Sequence, residues 1–147
     1  MIEEIAKEKT SADHLLYVSL KYTKTCDVIL NLLARWKSLI EGSFDSIIEK
    51  YNELGKIPEM PISPKQRIEF IRKYFSKFPT IQNIIPMYIF FKRVPDLSKA
   101  RESEFRKHVT LKIKDATKTT NINMEQLTEY AVKVDAFIDE VKTILLD

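Results

Sequence analysis

Apolar residues recur along this chain in steps of three and four, the spacing that gathers them on one face of an α-helix. The cleanest run is Cys26, Ile29, Leu33, Trp36, Ile40, Phe44, Ile47, Tyr51 and Leu54. It predicts one helix about 29 residues long, roughly 43 Å at 1.5 Å per residue. Thr25 fits its N-cap, and Asp27 puts a carboxylate in its first turn. Gly55 fits the position just past its end, and Pro58 follows where no helix continues. Gly42-Ser43 lies inside the stripe and predicts a bend. Upstream, Leu15, Leu16, Val18, Leu20 and Tyr22 supply the apolar face of a first helix. That helix is expected to open at Thr10 or Ser11 and to break at Thr23-Lys24-Thr25.

Downstream, Ser63-Pro64 joins a hydroxyl cap to a proline at the first helical position. The third helix it opens is expected to run to about Phe78, burying Ile68, Ile71, Phe75 and Phe78. Pro79-Thr80 restarts the chain into a fourth helix through Ile81, Ile84, Ile85, Tyr88 and Phe91. Pro86 predicts a kink or a late start there, and Pro95-Asp96 closes it. Residues 97–122 admit helix, loop or hairpin. The alternation of Val109-Thr-Leu-Lys-Ile-Lys114 is that of a half-buried strand, which Asp115-Ala-Thr-Lys118 would turn back into Thr119–Ile122. Asn123 caps a last helix along Leu127, Tyr130, Val134, Phe137, Val141 and Ile144.

Each helix is apolar on one stripe only, so the stripes must bury against one another. The expected fold is mainly α: a four- to five-helix bundle, with a short β-hairpin near 109–122, in one domain over residues 1–147. The long second and last helices have near-heptad spacing and are expected as antiparallel neighbours. Either would also serve as the seam of a homodimer.

Composition narrows the class without changing this picture. A 44% hydrophobic, 31% charged chain is that of a globular protein, and two glycines among 147 residues are too few for an all-β fold rich in tight turns. The single Cys26 excludes an internal disulfide and a Cys-rich zinc site, and is expected as a small buried apolar residue in a reducing, cytoplasmic setting. The acidic start Met-Ile-Glu-Glu-Ile lacks the basic segment of a secretory leader. The longest apolar run, Ile84 to Phe91, is interrupted by Pro86 and falls far short of the ~20 residues that span a bilayer, so no membrane partner is expected.

Charge is unevenly placed. Residues 60–115 hold 13 Lys/Arg and 5 Asp/Glu, a balance of +8, while the flanks hold 11 and 16, a balance of −5. The total of +3 therefore hides a basic middle. No phosphate loop, HExxH, EF-hand or GxSxG pattern is present. Asp45, Glu49 and Glu53 sit one turn apart but no His follows them, so they read as solvated helix surface, and no metal or cofactor is expected. His14, beside Asp13 in a first turn, reads as structural.

His108 has different company: Arg101, Arg106 and Lys107 surround it, with Lys92, Arg93 and Lys99 upstream. Such cations hold a phosphate and lower an imidazole's pKa, and a neutral imidazole can take the proton of a ribose 2′-hydroxyl. An arginine fork can brace the charge of the resulting phosphorane. The stretch Arg101-Glu-Ser-Glu-Phe-Arg-Lys-His108 resembles the Arg-x4–6-His motif of the HEPN superfamily. The resemblance implies a small helical protein, metal-independent RNA cleavage and a dimer across which Arg101 and His108 would be the catalytic pair. Glu102 stands where that family has Asn, Asp or His. The pattern Ala12-Asp-His-Leu-Leu-Tyr17 followed by a long helix is also similar to small archaeal helical proteins, which implies no activity.

A second basic surface lies on the third helix, where Lys65 and Arg72 share one side and Lys73 and Lys77 another, with Tyr74 between them. A nucleic-acid face would comprise Lys65, Arg72, Lys73, Lys77, Lys92, Arg93, Lys99, Arg106 and Lys107, tracking phosphates without base specificity. Three function classes follow: a helical interaction or adaptor protein with a protein partner, an RNA-binding module, and a HEPN-like RNase or an inactive relative of one.

Overall fold

A computed structural model describes residues 2–147. It is mainly helical, with five helical arms and a small three-stranded antiparallel sheet. The first arm is α1 (Ile2–His14), a π-helical stretch Leu15–Ser19 and a final turn α2 (Leu20–Tyr22). Then come α3 (Cys26–Glu53), α4 (Pro64–Tyr74), α5 (Pro79–Arg93), the strands β1 (Ser98–Glu102), β2 (Thr110–Asp115) and β3 (Lys118–Ile122), and α6 (Met124–Leu146).

The capping residues act as their chemistry dictates. The side chains of Thr25, Ser63 and Asn123 accept from the backbone N–H groups of Val28, Gln66 and Gln126, each three residues on. Gly55 takes φ +68° just past α3, the left-handed conformation that stops a helix with least strain on glycine. Gly42-Ser43 does not break α3. The Ser43 hydroxyl donates to the Leu39 carbonyl at 2.7 Å and the helix runs on. Likewise α5 runs unbroken through Pro86, and α4 ends at Tyr74, four residues short of the expected Phe78.

Two expectations are corrected. The first helix opens at Ile2, not at Thr10 or Ser11, whose hydroxyls bond back to the Ala6 and Lys7 carbonyls inside it. Of its expected apolar face, Leu16 and Leu20 are buried, but Val18 and Tyr22 are exposed. Second, α3 and α6 run parallel, not antiparallel. Trp36 meets Tyr130, Phe44 meets Phe137, and Lys50 Nζ donates to the Leu145 carbonyl at 2.9 Å, so both sequences advance together. The cause is the sheet, which carries the chain back to the start of α3, where the Cys26 thiol donates to the Thr110 carbonyl at 3.4 Å. The antiparallel neighbours of α3 are α1, where Glu8 lies 3.7 Å from Arg35, and α5, where Trp36 stacks on Phe91 and Phe44 meets Tyr88.

The hairpin of β2 and β3 forms as the alternation predicts, with Leu111, Ile113 and Ile122 fully buried and Ala116 at φ +55° in its turn. Strand β1 was not foreseen. It adds antiparallel to β2 with Arg101 opposite Leu111, and none of its five side chains is buried, so it leaves no periodic trace in the sequence. No helix among the described residues is long and apolar enough to cross a membrane.

Candidate functional site

The segment that suggested catalysis lies on the sheet's β1–β2 connection. Arg101 sits on β1, and His108 is exposed in the loop that follows. The Arg101 guanidinium donates to Asp27 Oδ1 at 2.7 Å and to Glu104 Oε1 at 3.2 Å. These bonds raise the arginine's pKa and hold Asp27 below the usual carboxylate range. The arginine thus fastens β1 and its loop to the first turn of α3. His108 makes one contact of this kind, its carbonyl accepting from the Thr110 hydroxyl at 2.9 Å, and nothing bonds it to Arg101. Glu102 pairs with Lys112 across the strands at 3.1 Å.

The nine cations of the expected nucleic-acid face divide into three groups. Two are occupied by the chain itself. Arg93 grips Asp115 with both nitrogens, at 2.6 and 3.0 Å, tying the hairpin turn to the end of α5. Lys99 Nζ donates to the carbonyls of Val94, Pro95 and Leu97, capping the same helix end. A second group is scattered. Lys73 lies 5.3 Å from the ring centre of Tyr74, Lys77 is exposed in the α4–α5 connection, and Arg106 and Lys107 flank His108.

The third group converges. Helices α4 and α5 form an antiparallel hairpin, bound at its turn by the Gln82 amide, which donates to the Ile71 and Phe75 carbonyls. At its open end lies a groove of about 550 Å³ with Ile68 and Ile89 on its floor. Lys65, Arg72 and Lys92 stand around it beside the tethered Arg93, and Glu69 is the one acid on its lining. Lys65, Arg72 and Lys92 are exposed, and among the described residues none of them lies within ion-pair distance of a carboxylate. Lys65 and Arg72 stand two helical turns apart, about 10 Å along α4. Lys92 also borders a second hollow of about 630 Å³ between α3 and α5, lined by Leu30, Leu33, Phe91 and Lys37.

Sequence reasoning found the cations of this groove and missed its floor. Ile68 was assigned to the core, and Ile89 lies off the buried stripe of α5; both are only half-buried. The signal was available: Ile68 has Lys65 three residues before it and Arg72 four after, and Ile89 has Lys92 and Arg93 three and four after.

Behind the groove, Glu41 of α3 accepts a 2.6 Å hydrogen bond from the Tyr88 hydroxyl and lies 3.6 Å from Lys37. Partial burial would raise its pKa, but the tyrosine bond and the positive fields of Lys37, Arg67 and Lys92 outweigh it, and the net shift is downward. A carboxylate with a depressed folded pKa stabilises the fold above its unfolded value and loses that contribution as pH falls through the folded one. We expect the melting temperature of the protein to fall below about pH 4.3, the ordinary Glu value. In E41Q, thermal denaturation between pH 3 and 6 should show a shallower decline than in the parent.

No group of three or more His, Cys, Asp or Glu among the described residues is arranged to hold a metal ion. The chain matches no family model, and no curated protein or solved structure is significantly similar to it.

Proposed function

We propose that this protein is a non-catalytic interaction module that receives an acidic, amphipathic segment of a partner protein in the α4–α5 groove. The observation that carries the reading is the convergence of Lys65, Arg72 and Lys92, exposed and without acid partners, around the aliphatic floor of Ile68 and Ile89. Cations alone would suit any polyanion. An aliphatic floor adds nothing for a phosphate backbone, and no aromatic ring lines the groove to stack a base. A helix with apolar residues at i, i+3/i+4 and i+7, flanked by Glu or Asp, uses both features at once. The engagement of Arg101 by Asp27 and Glu104 supports a structural role for the residue that RNA cleavage would require free.

The test uses a fluorescein-labelled 18-residue peptide with leucines at those positions and glutamates beside them, against a scrambled peptide of equal composition. The expected result is saturable anisotropy with the periodic peptide, weaker binding of the scrambled one, and loss of affinity as salt rises. Equal binding of the two peptides would overturn the groove reading. A fluorogenic RNA should stay intact alongside. Cleavage that disappears in H108A would overturn the non-catalytic reading.

A further inference from the structure

The end of the molecule where α2 meets the β1–β2 loop carries aromatic rings that the core does not use. Tyr22 is 78% exposed, Phe105 75% and Tyr17 59%. Phe105 is held there: its backbone N–H donates to the Lys24 carbonyl at 2.6 Å, two residues beyond Tyr22. The loop around it is closed by Arg106 N–H to Ser103 and Val109 N–H to Arg106, both at 3.1 Å. Phe105 sits at φ +65° and Ser103 at φ +54°, left-handed conformations unfavourable for any residue with a Cβ. The fold thus tolerates a strained phenylalanine that stays three-quarters exposed. The stretch leading to Tyr22 is π-helical, with Tyr17 and Val18 turned to solvent while Leu16 and Leu20 reach the core.

Cations surround these rings. Lys21 lies 5.9 Å from the centre of the Tyr22 ring, Lys24 Nζ bonds the Lys21 carbonyl, and Arg106 and Lys107 follow Phe105 directly. None of the four is in an ion pair among the described residues. The local acids are already engaged: Asp27 and Glu104 share Arg101, leaving one net negative charge, and Glu102 holds Lys112. Four cations outside any ion pair therefore outweigh one residual charge around three exposed rings.

We propose that this end of the bundle binds single-stranded nucleic acid, with Tyr22 and Phe105 as stacking platforms for bases and Lys21, Lys24, Arg106 and Lys107 as phosphate contacts. This site is separate from the α4–α5 groove and stands or falls without it. Flat rings open to solvent beside cations are what sequence-tolerant single-strand binding requires. An anionic membrane is the competing occupant, but the patch offers Val18 as its exposed aliphatic side chain and two of its three rings carry hydroxyls.

The test places an indole at the tip with F105W, leaving the buried Trp36 as a constant background. Ten-nucleotide oligo(U) and oligo(dT) should each quench the new fluorescence; quenching by one alone assigns the site to RNA or to DNA. With four phosphate contacts, affinity should fall about fiftyfold between 50 and 200 mM salt. In the parent background, F105G should weaken binding of a labelled oligonucleotide about tenfold or more. The same variant should raise the melting temperature by about 3 °C, because glycine relieves the left-handed strain. That opposite movement separates a binding residue from a structural one. Unchanged oligonucleotide affinity in F105G would overturn the proposal. So would an indole that ignores oligonucleotides yet shifts to the blue on phosphatidylglycerol–phosphatidylcholine vesicles.

Discussion

Replacing Phe44 by alanine is expected to destabilise the protein by about 4 kcal/mol, within the range for deleting a fully buried phenylalanine. Phe44 is 2% exposed, and its ring is where three helices meet. It lies edge-on to Tyr88 of α5 and to Phe137 of α6, with centroids 5.5 Å from each. Removing it leaves a void bounded by two large rings fixed from other sides, since the Tyr88 hydroxyl is held by Glu41 and Phe137 is fully buried. Partial collapse is therefore restricted, which places the cost toward the upper end of the range. Against a typical total of 5–15 kcal/mol, such a loss is a large fraction of what the fold has. Urea denaturation followed by the fluorescence of Trp36 measures it. A loss below about 1 kcal/mol would mean that the three helices do not meet at this ring.

The same ring explains which parts of the fold were legible in the sequence. Elements that present a stripe to the common core leave periodic traces, so α3, α5 and α6 could be read directly, as could the caps of α3, α4 and α6 at Thr25, Ser63 and Asn123. The hairpin of β2 and β3 could be read for the same reason, because Leu111 and Ile113 alternate into the core. Elements that bury no side chain leave none. β1 exists because β2 offers it a ladder, and its Ser-Lys-Ala-Arg-Glu is indistinguishable from loop. The relative direction of α3 and α6 was misjudged because heptad spacing fixes that two helices pack, not which way they run. That is decided by how far the intervening chain carries its end, and here the sheet returns it to Cys26.

The candidate sites divide in the same manner. Charge is visible in a sequence, and every cation of the α4–α5 groove was named from it. Which cations are free is a property of the fold. Arg93 and Lys99 look no different from Lys92 in the chain, yet one is clamped by Asp115 and the other caps a helix end. Tyr22, expected on the apolar face of the first helix, and Phe105, given no role, are misread for the converse reason. An aromatic residue in a sequence is assumed to be buried, and only the geometry of the loop and the π-helical stretch keeps these two outside.

Reversing the groove's charge with K65E, R72E and K92E together is expected to weaken the acidic probe peptide about a hundredfold. An exposed ion pair contributes about 0.2–1 kcal/mol, and reversal both removes the attraction and adds a repulsion. Roughly 1 kcal/mol per site over three sites gives about 3 kcal/mol, or slightly more than two decades in affinity. The fold should barely respond. Lys65 lies in the first turn of α4, where glutamate suits the helix dipole better than lysine. Arg72 and Lys92 lie in the last turns of α4 and α5, where the exchange is unfavourable by a comparable amount each. The net cost is under about 1 kcal/mol. Isothermal calorimetry of the triple variant at 50 mM salt, beside its thermal melt, reads both quantities. Binding reduced less than about fivefold with the melt unchanged would remove the groove as the docking surface. Weakened binding with an intact melt ties recognition to the three side chains that the fold leaves free.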